Sequence, residues 1–345
     1  YNGYFKIGAA VNPMVYMDKN PEARQIVIHE MNSITPENCM KWEKIHPKPG
    51  TFNFEHADDF VKLGELNDMF IVGHTLVWHS QTPEWVFQGD TGEPASREQL
   101  LKRMQEHINS VAGRYAGRIH AWDVVNEAVE EDGTLRQTPW LQIIGADYLQ
   151  KAFEFAAQAA PQAELYYNDY NLWNPEKRRG VIRELKKLLD TGVRIDGAGL
   201  QGHWRLDDPT LDQIRAAIED FADLDLKVMI TELDISVLPN YWAMSADIRN
   251  NIEKHKELNP YADGIPDSVQ IQLTERYRSL FQLFLEYDQV IDRVTFWGVY
   301  DGISWLNYFP VRNRTDYPLL FNRNLEKKPA YDAVIECAQN VRRDR

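Results

Sequence analysis

The chain has 345 residues, 43% of them hydrophobic, and a formal charge of −14. The acidic balance is spread along the chain, which disfavours nucleic acid or an anionic membrane surface as partner and suits a neutral polymer. No stretch approaches the roughly 18 uninterrupted apolar residues of a membrane span.

Short apolar runs with strand character alternate with amphipathic stretches almost from end to end. Strands are expected at residues 7–11, 33–35, 70–74, 121–126, 164–168, 199–202, 228–232 and 293–297. Helical stretches between them include 98–115, 147–160, 175–191, 210–224 and 269–287. Eight strands with intervening helices predict an α/β fold, a single (β/α)8 TIM barrel forming one domain over residues 1–345. An open doubly wound sheet is the alternative, but no Gly-rich phosphate loop follows the first strand. The long, polar, Pro-punctuated segment 238–266 is expected to form a wall of a cleft.

The 10 Trp, 16 Tyr and 14 Phe are an unusual aromatic content. Such rings make good cores, and flat rings also match the apolar faces of sugars; composition leaves that choice open. Cys39 and Cys337 lie almost at opposite ends, outside any metal-spaced cluster, and are expected to be two unpaired, buried thiols.

Two glutamates stand out. Glu127, in His120-Ala-Trp-Asp-Val-Val-Asn-Glu-Ala128, and Glu232, in Val228-Met-Ile-Thr-Glu-Leu-Asp-Ile-Ser236, each end an apolar strand-like run. In a barrel, carboxylates there emerge at the carboxyl end of the strands, where catalytic groups collect. A facing pair is the minimal apparatus for cleaving a glycosidic bond. Trp122, Asp123 and Asn126 precede Glu127 in a strand that should be buried, where unpartnered polar groups cost several kcal/mol. Asn126 both donates and accepts, which suits holding a sugar hydroxyl. Asp234 points to the same side of its strand as Glu232, and His203 ends the preceding strand. An Asp234–His203–Glu232 chain of hydrogen bonds would keep Glu232 ionised and oriented as a nucleophile.

The whole chain resembles the glycoside hydrolase family 10 endo-β-1,4-xylanases. The resemblance rests on Gly73-His-Thr-Leu-Val-Trp-His-Ser-Gln-Thr-Pro-Glu-Trp85, Trp122-Asp-Val-Val-Asn-Glu-Ala128, Tyr167-Asn-Asp-Tyr-Asn171, Ile230-Thr-Glu-Leu-Asp-Ile235 and Phe296-Trp-Gly298, the last followed by Trp305. It implies a retaining double displacement on xylan and xylo-oligosaccharides, with Glu127 as acid/base, Glu232 as nucleophile and carboxyl groups about 5–5.5 Å apart. It also implies a sugar site built from Glu37, Asn38, Lys41 and Gln81 two places before the cut. His74, Trp78, Asn126, Gln201, Trp297 and Trp305 would line the attacked sugar, and Tyr170 and Asn171 the leaving one.

From the same resemblance, bulky rings such as Trp305 would exclude the C5 hydroxymethyl of glucose by overlap, a discrimination of roughly 1–3 kcal/mol. Cys39 stands where the family commonly has a small residue such as Ala, and packing rather than thiol chemistry is expected there. The histidines are dispersed, and no metal or cofactor is expected. A β-glucanase or mannanase of the same clan, or a non-catalytic polysaccharide-binding barrel, are the competing readings. Both glutamates are present, which weighs against the last. The chain is expected to act as a monomer, and a polymeric substrate favours secretion or the cell envelope, with a cytoplasmic form not excluded.

Overall fold

The computed structural model describes residues 1–241 and 256–344. All strand pairings within its sheet are parallel, in the order β6-β5-β4-β3-β2-β1-β9-β8-β7, and β6 also pairs with β8. That last pairing closes the sheet into a barrel. The strands are β1 Lys6–Val11, β2 Ser33–Pro36, β3 Phe70–Val77, β4 Ala121–Asn126, β5 Glu164–Asp169, β6 Gly197–Leu200, β7 His203–Arg205, β8 Lys227–Ser236 and β9 Ile291–Phe296. The short β7 continues the line of β6 after Gln201 and Gly202, so the barrel has eight staves, as the alternation in the sequence predicts.

Helices connect the staves, and their ends are written in the sequence. Ser96 and Gln99 form a capping box at the start of helix Arg97–Arg114, and Thr210 with Gln213 does the same for Leu211–Ala222. Asn174 caps Pro175–Asp190, whose leading proline has no N–H to leave unpaired. A small cluster of Val72, Ala121, Tyr166 and Met229, with Phe70 against it, is separate from the main apolar core that includes strand and helix residues.

Several strand bounds differ from those the sequence predicts, among them β3, which runs on to Val77 instead of stopping at 74. The sixth strand was expected at 199–202 but runs Gly197–Leu200, because Gly202 takes a left-handed φ of 86° that breaks the extended chain. The seventh, expected to stop at 232, runs on to Ser236. Of the segment expected to wall the cleft, residues 242–255 lie outside the described residues. Its far end packs on the segment before Pro318: Thr315 N–H donates to Asn259 Oδ1 at 2.8 Å and the Tyr317 hydroxyl to Tyr261 O at 2.8 Å. Cys39 and Cys337 are both buried and unpaired, as expected.

Candidate active site

Strand alternation builds the wall around Glu232. Leu233 and Ile235 of β8 enter the apolar core, while Glu232 and Asp234 turn to the polar side with His203. The register of β8 against β9 slips between Ile230 and Leu233, so the strand carries one extra residue where Glu232 sits. Such slips re-aim side chains beside active sites. Glu232 is 5% exposed. Its Oε1 accepts from Asn168 Nδ2 at 2.8 Å and its Oε2 lies 3.1 Å from His203 Nε2. His203 Nδ1 is 3.1 Å from Asp234 Oδ1, and Asp234 Oδ2 accepts from Trp305 Nε1 at 2.8 Å. The hydrogen-bonded chain from Asp234 through His203 to Glu232 is therefore present, and Trp305 extends it.

Charge follows geometry. Burial opposes a proton on His203, but Asp234 and then Glu232 outweigh it and push its pKa up to about 10. Burial alone would raise Glu232; the His203 hydrogen bond, nearby His74 and the Asn168 amide together hold it below its ordinary value. Glu232 is thus an oriented anion beside an imidazolium.

Glu127 is set differently. It follows β4 in a left-handed conformation, φ 56°, which is uncommon for a residue with a side chain. Its Oε2 accepts from Trp78 Nε1 at 2.9 Å and its Oε1 from Gln201 Nε2 at 3.0 Å, both neutral donors. Gln201 joins the two glutamates, since its carbonyl also accepts the Glu232 N–H at 2.6 Å. Asn126 and Asn168 meet side chain to side chain at 3.0 Å between them. Gly199 makes that possible: a Cβ there would lie 2.4 Å from Asn168 Oδ1.

The remaining expected residues gather around this pair. Lys41 Nζ donates to Asn38 Oδ1 at 3.1 Å and sits 5.0 Å from the Trp78 ring centroid and 6.0 Å from that of Trp297. Burial lowers the Lys41 pKa, opposed by Glu232, Glu37 and Glu127, while burial raises that of Glu37. Asn38 Nδ2 donates to Glu37 at 3.2 Å, and Gln81 Nε2 reaches Asn38 at 3.4 Å and Glu43 at 3.2 Å. His74 Nδ1 is 2.8 Å from Asp123 Oδ2, and its ring meets that of Trp297 edge to face at 5.4 Å. Tyr170 and Asn171 follow β5; the Tyr170 hydroxyl accepts from Arg136 at 2.7 Å, and Asn171 Nδ2 donates to Glu131 at 3.2 Å. Each expected side chain makes a contact in this one region at or beyond the carboxyl ends of the strands. Asp123, expected as part of the buried polar cluster before Glu127, is here, and Asn168 and Arg136 join it without having been singled out. Asn168 carried a signal, being a polar residue in a strand buried on both faces; Arg136, in the loop after β4, carried none.

A closed parallel barrel with two unlike glutamates and a rim of indole rings defines a glycoside-cleaving barrel hydrolase. The comparisons make this specific. The model of glycosyl hydrolase family 10 matches residues 1–337, and the chain belongs to that family. It is 42% identical to endo-1,4-beta-xylanase A of Xylanibacter ruminicola over 96% of this chain and 90% of that protein. It is 44% identical to the endo-1,4-beta-xylanase of Geobacillus stearothermophilus over 96% and 95% of the two chains. A solved GH10 endoxylanase from a sugarcane soil metagenome superposes with a TM-score of 0.92 at 44% identity, covering 97% of each chain. A solved glutamate-to-alanine mutant in complex with xylotriose superposes at 0.88 with 39% identity, over 97% and 98% of the chains.

Proposed function

We propose that the protein is a retaining endo-1,4-β-xylanase with Glu232 as nucleophile and Glu127 as general acid/base. One observation carries the division of labour: Glu232 is a buried anion fixed by an imidazolium and an amide, whereas Glu127 is held only by neutral donors. Glu232 attacks the anomeric carbon as Glu127 protonates the departing glycosidic oxygen, and that carbon–oxygen bond breaks. Glu127 then takes a proton from water, whose oxygen displaces Glu232 from the same carbon, which frees the Glu232 carboxylate and leaves Glu127 protonated for the next cycle. The sugar before the attacked one is assigned to Glu37, Asn38, Lys41 and Gln81, and the leaving sugar to Tyr170 and Asn171. His74, Trp78, Asn126, Gln201, Trp297 and Trp305 are assigned to the attacked xylose. A polymeric substrate that cannot cross a membrane intact supports a site of action outside the cell or at its envelope, and a monomer is the proposed working form.

The test is a product time-course on glucuronoarabinoxylan and xylohexaose, with NMR of the new anomeric centre. Early β-anomer and mixed short xylo-oligosaccharides are expected. Early α-anomer would overturn the mechanism; inert xylan with cleavage of another β-glycan would overturn the substrate.

A further inference from the structure

We propose that Arg136 is a positioning residue that ties the proton donor to the first aglycone platform, so that a sugar stacked on Tyr170 and the Glu127 carboxyl are held in one register. The inference rests on the reading of Glu127 as acid/base and goes beyond it.

Glu127 emerges after β4 and Tyr170 after β5, and one guanidinium spans them. Arg136 Nε donates to the Glu127 carbonyl at 3.0 Å, and its Nη2 donates to the Tyr170 hydroxyl at 2.7 Å. The guanidinium is a rigid planar fork, so fixing one arm fixes the other. Its remaining arm pairs with Glu130 at 3.2 Å, and the side chain is only 16% exposed. Its backbone is anchored too: the Arg136 N–H donates to Ala128 O at 2.8 Å, and Val129 bridges Leu135.

What the fork holds is unfavourable by itself. Glu127 at φ 56° persists only where its surroundings over-determine it. Its N–H donates to Asn168 O at 2.9 Å and its C=O is taken by Arg136. Without the second anchor, the backbone that aims the carboxyl at Trp78 and Gln201 keeps only the bond to Asn168 O. Tyr170 is held from another side, with the fully buried Lys177 ammonium 3.3 Å from its ring centroid and paired with Asp169 at 2.9 Å. One ring face is thus occupied by a cation, and the stacked sugar is assigned to the other. A residue needed only to close the loop after β4 has no use for the bond to Tyr170 on the neighbouring stave. That bond matters when a leaving sugar must be protonated in place.

The measurement compares xylohexaose, which needs both the proton and the aglycone platform, with 2,4-dinitrophenyl β-xylobioside, whose leaving group needs neither. For Arg136→Met, kcat on xylohexaose is expected to fall about 30-fold, while kcat/KM on the dinitrophenyl substrate falls less than about 3-fold. Tyr170→Phe, which removes only the hydroxyl, should show the same split at about 5-fold, and the double variant should lose less than the product of the two. Parallel losses on both substrates, or full additivity, would overturn the coupling. If Arg136→Met does not fold, Arg136→Lys and Tyr170→Phe carry the same comparison. Glu127→Ala is run beside them: if it fails to split the two substrates, the acid/base reading itself is wrong, whatever Arg136 does.

Discussion

The two glutamates come from staves β4 and β8, which are not neighbours in the barrel, and are the same residue type, yet one wall of the site is built from charge and the other from neutral donors. Around Glu232 the bonds run Trp305 to Asp234 to His203 to Glu232, with an imidazolium at the centre and the carboxylate buried. Around Glu127 the partners are an indole and an amide, and the strain is in the backbone rather than in the charges. A nucleophile must stay ionised and still, which a fixed cation achieves. A group that gives up a proton and takes another in each cycle must tolerate both states, which neutral partners allow. The wall, more than the residue, sets the role.

Breaking the charged wall at its centre should have the largest effect. Glu232→Gln keeps shape and removes the attacking charge, and activity on xylan should fall by about 10⁴-fold or more, with the thermal unfolding midpoint used to check folding. On the neutral wall, Glu127→Ala should cost about 10²–10⁴-fold on xylan but far less on an activated aryl xylobioside, measured as kcat/KM. Equal losses for both substrates would erase the distinction between the walls.

His203→Asn sharpens the comparison through pH. A folded pKa of about 10 lies above the ordinary histidine value, so the imidazolium's contribution to stability is fully present below about pH 6.5 and is lost as pH rises toward 10. Glu232 is held below its ordinary value, so its contribution is present above that value and lost as pH falls through the folded pKa. The Tm of the parent minus that of His203→Asn should therefore be widest near about pH 5.5–6.5 and shrink toward pH 10. A gap that does not change with pH would mean that the wall is not held by charge.

Much of this is legible in the sequence. The stave Ala121–Asn126 reads at its true bounds because a strand covered on both faces appears as one apolar run ending abruptly in polar residues. The pairing of His203 with Asp234 and Glu232 follows from strand alternation and barrel order. The break at Gly202 does not, since a left-handed glycine and an extended one look alike in sequence. Helix Pro21–Glu30 buries only Ala23 and Val27, too few apolar positions to mark a period. Arg136 and Lys177 were unreadable for a deeper reason. Their importance lies in the carbonyl and ring they touch on neighbouring staves, and nothing in a charged residue's local context announces that.

Trp305 belongs to the charged wall and is the ring proposed to meet the sugar, so its two roles can be separated. Its indole N–H donates to Asp234 at 2.8 Å, while its ring stacks on Phe309 at 5.4 Å and lies 4.8 Å from that of His203. If its bulk excludes the C5 hydroxymethyl of glucose, Trp305→Ala should raise kcat/KM for aryl β-cellobioside relative to aryl β-xylobioside by about tenfold, within the roughly 1–3 kcal/mol available to such steric exclusion. Trp305→Phe keeps a ring but removes the N–H. It should hold the sugar ratio within about threefold while lowering kcat on both substrates, because Asp234 loses a donor and orients His203 less firmly. If Trp305→Phe relaxes the ratio as far as Trp305→Ala does, selectivity lies in the hydrogen-bonded chain and not in the ring, and the two roles of this residue are one.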